Sequence, residues 1–303
     1  MAAVLSNGGG FYHAFAYVAE AMRMGLTVLP PDINASDFRC IGKGKELRIG
    51  LQFVKGLSAE GVERLFTARA SARFSSLFDF RARTGIAPSD LRVLIKVGAL
   101  DSLSDGWTRP MMLWLVDSGG RTAGRTGGRL QHRQAHQHAA QTDRLSACPP
   151  ARPSDWFSDL PPTVPVLREY SPERRRKEEY EILGFMTDAH PMQLHAERLA
   201  SLRLCRSTDL YRQVGQNVTA AGMLTTAKPV HTVKEEPMEF ATFDDGHGLI
   251  EAVLFPDVYR RRGHVLFDQG PFIFRGKVEE EFGAVTLSLT HLDRLERRPA
   301  LSG

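Results

Sequence analysis

The sequence predicts an α+β multidomain chain: a helical N-terminal part with tandem helix-hairpin-helix turns, a flexible linker, then a five-stranded OB-fold β-barrel. Three observations carry this reading. Up to about residue 100, apolar residues recur at helical spacing, with glycines where helices should stop. From about 118 to 168 that periodicity is lost. After Leu210 it returns with a period of two, in five runs with a short helical run between the third and fourth.

Composition sets the outer limits. A chain of 303 residues has room for two or three domains, and 42% hydrophobic residues can fill their cores. The net charge is +4 and the isoelectric point about 9.0, with arginines in clusters, which permits a polyanionic partner without requiring one. The three cysteines, Cys40, Cys148 and Cys205, are far apart and outside any C-x-x-C spacing. Neither a disulfide framework nor a zinc site is expected, and no metal or cofactor is assigned to this chain. No apolar run reaches membrane length and the N-terminus lacks a signal layout, so a cytoplasmic protein with no membrane partner is expected.

Along the chain, Phe11, Phe15, Val18, Ala19, Met22 and Leu26 mark one helical face, punctuated by Gly25 and stopped by Pro30-Pro31. "LPPDINASDF" reads as extended chain. Residues 59–69 and 88–97 read as short helices, the second stopped by Gly98, with another in "SSLFDFRARTG" closed by Gly85. A linker rich in Gly, Arg, Gln, His and Pro is expected over 105–168. His132, His136 and His138 fall within it, where a solvated low-complexity tract outweighs a metal site. "SPERRRKEEYEILGF" opens a helical connector over 169–211 with a Ser-Pro helix start.

The barrel is expected over 212–296, with a tail at 297–303. Val218, Ala220 and Gly222 alternate in a first strand, and runs at 238–243 and 249–255 are joined by "DDGHG". A helix follows at 256–262. Phe272, Phe274, Gly276 and Val278 then face inward with Arg275, Lys277 and Glu279 opposite, and Val285, Leu287 and Leu289 continue the core after Gly283.

The stretch "LRIGLQFVKGLSAEGVERLFTAR" suggests the first DNA contact. Leu51 and Val54 close one apolar face, Gly56-Leu57-Ser58 forms a hairpin, and Val62 and Leu65 open the next helix. Gly56 permits the sharp turn, Leu57 plugs the gap, backbone N–H groups at the second helix face outward, and Lys55 adds a cation. Such contacts grip duplex phosphates without reading bases. An ordinary hairpin whose glycine serves packing fits the same residues equally, and Ser58 stands where a second glycine is common. A looser second hairpin has Ser89 or Asp90 as helix cap, the Gly98-Ala99-Leu100 stop, and Arg92 and Lys96 on one face; it reads chiefly as a structural partner of the first.

The barrel offers a single-strand surface by base stacking and phosphate tracking. Candidates are Phe240 and Phe243, Arg275 and Lys277, and Arg260, Arg261 and Arg262, although strand phenylalanines are more commonly core. No catalytic residue is assigned: there is no Walker loop or nucleophile elbow, and turn chemistry accounts for Asp244-Asp245.

The segments "NGGGFYHAFAYVAEAMRMGLTVLPPDINASDF", "LRIGLQFVKGLSAEGVERL", "LRVLIKVGALDSL", "EYEILGFMTDAHPM" and "FATFDDGHGLIEAVLFPDVYRR" occur in one consistent order. Together they resemble the C-terminal half of the bacterial DNA polymerase III alpha subunit, a C-family DNA polymerase of replicative or error-prone type. The resemblance implies that residues 1–45 are the end of a fingers domain. It implies that 46–104 grip primer-template duplex and that 212–296 handle the template single strand, serving replication or error-prone repair synthesis. In the family, palm aspartates hold the catalytic magnesium and a PHP domain precedes the palm; both lie upstream of the matching stretches. The chain is therefore expected to be inactive alone, with Met1 corresponding to an internal methionine and an upstream PHP-palm polypeptide as a partner.

The family often carries a sliding-clamp peptide near this linker. "QTDRL" at 141–145 has the Gln and terminal Leu but Arg144 where an apolar residue belongs, so a clamp contact rests on two matching positions. A free-standing nucleic-acid-binding or scaffold protein, and a truncated remnant, are the alternatives.

Overall fold

The structure, a computed structural model, describes residues 1–8, 10–123 and 164–295, with backbone alone for 119–123. The histidines of the linker, the 141–145 pentapeptide, Cys148 and the tail lie outside the described residues. The chain divides into two units, Met1–Pro31 with Ser36–Phe53 and Pro172–Gly303, and Asp32–Ala35 with Val54–Ser171. Among the described residues no helix is long and apolar enough to cross a membrane.

The barrel dominates the first unit. Strands β4 (Asn217–His231), β5 (Pro237–Asp244), β6 (Leu249–Leu254), β7 (Phe272–Glu281) and β8 (Ala284–Arg294) are the last five of the chain. They close in the order β4-β5-β6-β8-β7, with β6 and β8 parallel and β4 pairing with both β5 and β7. Helix α9 (Pro256–Arg262) lies between β6 and β7, as the sequence predicts for an OB-fold. Period-two alternation sends Phe243, Phe272 and Phe274 inward. The Phe243 and Phe274 rings stack with centroids 4.3 Å apart, and all three side chains are fully buried.

Before the barrel come α1 (Ala2–Ser6), α2 (Ala14–Arg23) and a small sheet of β1 (Thr27–Leu29), β2 (Ile41–Lys43) and β3 (Glu46–Arg48), ordered β1-β3-β2. Two expectations are corrected here. The run ending at Leu51 and Val54 is not a helix, because its start is the central strand of the small sheet: buried Leu47 and Ile49 alternate with Arg48, and Ile49 N–H donates to Leu29 O at 3.0 Å. Only the single 3₁₀ turn Leu51–Phe53 follows. Phe11 lies before the start of α2 and is 91% exposed, so it is not part of that helix's buried face.

Asp244, at the end of β5, makes the turn contact expected of it, accepting from Gly246 N–H two residues on, and does more besides. It is fully buried. Arg23 of α2 donates to both carboxylate oxygens at 3.1–3.2 Å, and Gly246 N–H donates at 2.9 Å. His190 Nε2 lies 3.3 Å from Oδ1, while His190 Nδ1 accepts from Met192 N–H at 3.2 Å, which sets the Nε2–H tautomer. The remaining turn contacts belong to the neighbouring Asp245, which accepts from His247 and Gly248 N–H and from both donors of Ser207. Helix α7 (Pro172–Leu183) and α8 (Ala196–Ala200) complete this unit.

The second unit is helical, with α3 (Ala59–Ser71), α4 (Leu77–Thr84), α5 (Pro88–Lys96) and α6 (Arg109–Ala123). Gly85 closes α4 in the left-handed conformation expected of it. Arg83 crosses to the end of α3, donating to Ala68 O and to Ala72 O, and lies over the Phe74 ring. Helix α6 runs through the first part of the stretch expected as linker: Met112, Leu115 and Val116 at helical spacing are buried, an apolar face that ordered structure requires. "LPPDINASDF" is likewise not extended throughout, because Asp32 Oδ1 accepts from Asn34 and Ala35 N–H and turns the chain.

Burial pushes the Asp244 carboxyl up, but the nearby His190 ring, the Arg23 guanidinium and the Gly246 N–H together outweigh it and hold the group below its usual range. The depressed carboxylate contributes stability that is fully present above its unfolded pKa of about 3.9 and is lost as pH falls toward the folded value. Asp244→Ala removes the acceptor shared by Arg23 and Gly246 N–H, while Arg23 keeps Glu20 at 2.8 Å, and is expected to cost about 1–3 kcal/mol in urea unfolding at pH 7. Asp244→Asn should flatten the fall in stability below about pH 4.

Candidate nucleic-acid interface

The Lys55–Ser58 turn takes the hairpin geometry that its glycine requires. Gly56 has φ +87°, a left-handed conformation that costs other L residues energy. A Cβ built there meets Val93 Cγ2 at 3.4 Å, ordinary contact, so backbone conformation and not space demands glycine. Leu57 N–H donates to Val54 O at 3.2 Å, and Val54 and Leu65 are buried while Leu57 is half-buried. Lys55 and Gly56 are exposed.

Ser58 explains the missing second glycine. Its extended backbone and side chain cap α3, with Gly61 N–H donating to Ser58 Oγ at 2.9 Å. Its own groups donate in turn to Asp90: Ser58 N–H to Oδ1 at 3.1 Å and Ser58 Oγ to Oδ2 at 2.6 Å. Asp90 therefore does not cap α5, and neither does Ser89. That helix starts from Ala87 with Pro88 at its first position, where a missing N–H is harmless. Asp90 is 2% exposed and occupies the space a side chain at Gly61 would need, since a Cβ there would lie 2.4 Å from Oδ2.

This carboxylate changes the electrostatics of the expected phosphate site. The N-terminus of α3 already has a negative partner, so part of its dipole is used internally. Among the described residues, no acceptor is recorded for the backbone N–H groups of Gly56, Ala59 and Glu60, the last two in the first turn of α3, and the Lys55 side chain that precedes them is exposed.

The second hairpin is built for packing. Gly98 has φ +81° and Arg109 folds across it, donating to Lys96 O at 3.0 Å and to Asp101 at 3.0 and 2.6 Å. Arg92 is paired with Asp117 at 2.7 Å, so it is not the free cation the sequence suggests; Lys96 is half-buried. Neither residue joins the Lys55 donors in a described contact.

On the barrel the candidates separate. Phe243 is core, in contact with Phe272 and Phe274, and has no face to offer a base. Phe240 is 48% exposed and lies opposite Lys228 on β4. Arg275 and Lys277 are exposed on β7 but lie opposite Thr219 and Asn217, about 30 Å along β4 from Phe240 at ordinary strand rise. Arg260 bridges Glu236 and Asp257, and Arg261 donates to Asp257 O at 3.0 Å. The hairpin tips on either side bear glutamates, Glu235 and Glu236 between β4 and β5 and Glu279 to Glu281 before Phe282. No group of three or more metal-binding side chains occurs among the described residues.

Residues 25–109 match a family model described as a helix-hairpin-helix motif. The chain is 27% identical to the error-prone DNA polymerase of Symbiobacterium thermophilum, over 95% of this chain and 28% of that protein. It is 28% identical to DNA polymerase III subunit alpha of Vibrio cholerae, over 86% of this chain and 22% of that protein. For the Bacillus subtilis DNA polymerase III subunit alpha the identity is 25%, over 92% and 24%. This chain is similar in sequence to the bacterial DNA polymerase III alpha subunits and error-prone DNA polymerases. It spans about a quarter of the length of these polymerases. Within the polymerase-related chain, the helix-hairpin-helix match covers both glycine turns, at Gly56 and Gly98.

Asp90→Ala removes the acceptor for two Ser58 donors and should cost about 1–3 kcal/mol in unfolding of the helical unit, with Asp90→Asn milder because one oxygen still accepts. Gly56→Ala should cost about 1–2 kcal/mol through backbone conformation alone. Chemical denaturation followed by circular dichroism measures both.

Proposed function

We propose that this chain is a DNA-holding portion of a polymerase of the DNA polymerase III alpha type, serving replication or error-prone repair synthesis. The observation that carries it is the exposed Lys55–Gly56 turn, with unpartnered N–H groups following a cation inside the helix-hairpin-helix match. The turn contacts phosphates of primer-template duplex, independent of base sequence. The barrel takes the template single strand. Polymerisation needs carboxylates and magnesium supplied by an upstream PHP-palm polypeptide, so this chain binds without copying. The similarity to a DNA polymerase III subunit alpha and to an error-prone DNA polymerase supports the substrate class.

The chain should bind duplex DNA with an affinity that falls steeply with salt and varies little with sequence. Lys55→Glu should weaken duplex binding at every sequence and lower the salt slope by about 1, as measured by fluorescence anisotropy. Primer extension by the purified chain should give no templated incorporation; incorporation would contradict the assignment of catalysis elsewhere.

A further inference from the structure

The two barrel sites read from the sequence fail to converge, yet another face of the barrel brings the required chemistry together. A hollow of about 780 Å³ opens beside the 3₁₀ turn Gly263–Phe267 and the ends of β7 and β8. Its wall carries Phe267, which is 93% exposed, with Arg198 of α8, Arg262 at the end of α9, His264 and Arg294 of β8, and also the carboxylates of Asp268 and Asp293, which leave Arg198 as the arginine with no carboxylate partner in the wall.

The local fold dictates this presentation. Leu266 turns into the barrel core and the next residue, Phe267, is left outside. Arg262 is held by Asp293 at 2.7 Å and Arg294 by Asp268, so both guanidinium groups are fixed in place with further N–H donors to spare. Arg198 and His264 are exposed. Arg294 also lines a second hollow of about 550 Å³ whose wall includes Lys177.

We propose that this hollow is the single-strand contact of the barrel, with a base stacked on Phe267 and the adjoining phosphates against Arg198 and Arg262. The inference rests on the DNA-holding reading above and gives it a specific place. An exposed aromatic beside arginines is the arrangement that sequence-tolerant single-strand binding needs, since every base has a stacking face and every nucleotide a phosphate. The hairpin tips with their glutamates repel the same backbone. The site therefore lies away from Phe240, Arg275 and Lys277.

The test uses the full chain, a fluorescent oligothymidylate and a fluorescent blunt duplex, both in low salt. Phe267→Ala and Arg198→Glu alter exposed side chains, and thermal melts establish that each variant folds. Each should weaken oligothymidylate binding at least about fivefold and leave duplex binding within twofold. Phe240→Ala should leave both unchanged. Oligothymidylate affinity unchanged in both Phe267→Ala and Arg198→Glu would overturn the site while leaving the DNA-holding reading intact. A wild-type chain that binds duplex but no oligothymidylate would also overturn it. Failure to bind either DNA would overturn the broader reading together with this one.

Discussion

The buried carboxylate of Asp244 is the interaction on which the larger unit depends. A charge with no solvent exposure is tolerable only when its partners are supplied from fixed positions, and here they come from widely separated parts of the chain. Arg23 arrives from α2, His190 from the segment after α7, and Gly246 from the adjoining turn. A barrel strand, an N-terminal helix and a connecting segment are thereby tied to one pair of oxygen atoms. Close by, His13 N–H donates to Thr225 O of β4 at 3.1 Å, a second link between the N-terminal segment and the barrel.

Asp90 performs the analogous task in the helical unit. Its carboxylate fixes Ser58, Ser58 caps α3, and that cap fixes the exit of the chain from the Gly56 turn. The consequence for binding is electrostatic. A carboxylate at the start of α3 partly offsets the pull of that helix terminus on a phosphate, which makes the exposed Lys55 cation the larger source of attraction. Arg92, which the sequence presents as a spare cation, is committed to Asp117.

Much of the fold was legible from periodicity. The five barrel strands, helix α9 at Pro256–Arg262 and the Gly85 stop follow from alternation, Pro at a helix start and Gly at a helix end. The three-stranded sheet was not, because strands of three residues are too short to establish a period. The first hairpin was legible in its glycine but not in its acid: Asp90 lies 32 residues from Ser58, and local rules assign such an aspartate to its own helix. The same limit applies to Asp244, whose partners Arg23 and His190 lie far outside the turn. Phe240 and Phe243 were indistinguishable as residue types; only their register separates a solvated ring from a core ring.

The central claim is that the Lys55 side of the first hairpin meets a DNA backbone. Hydrogen–deuterium exchange across residues 54–61, with and without primer-template duplex, tests it most directly. Amides of Gly56, Ala59 and Glu60 lack acceptors among the described residues and should exchange fast in the free chain. Bound duplex should slow them selectively. Exchange that stays fast at these amides while DNA is bound elsewhere on the chain would contradict the account.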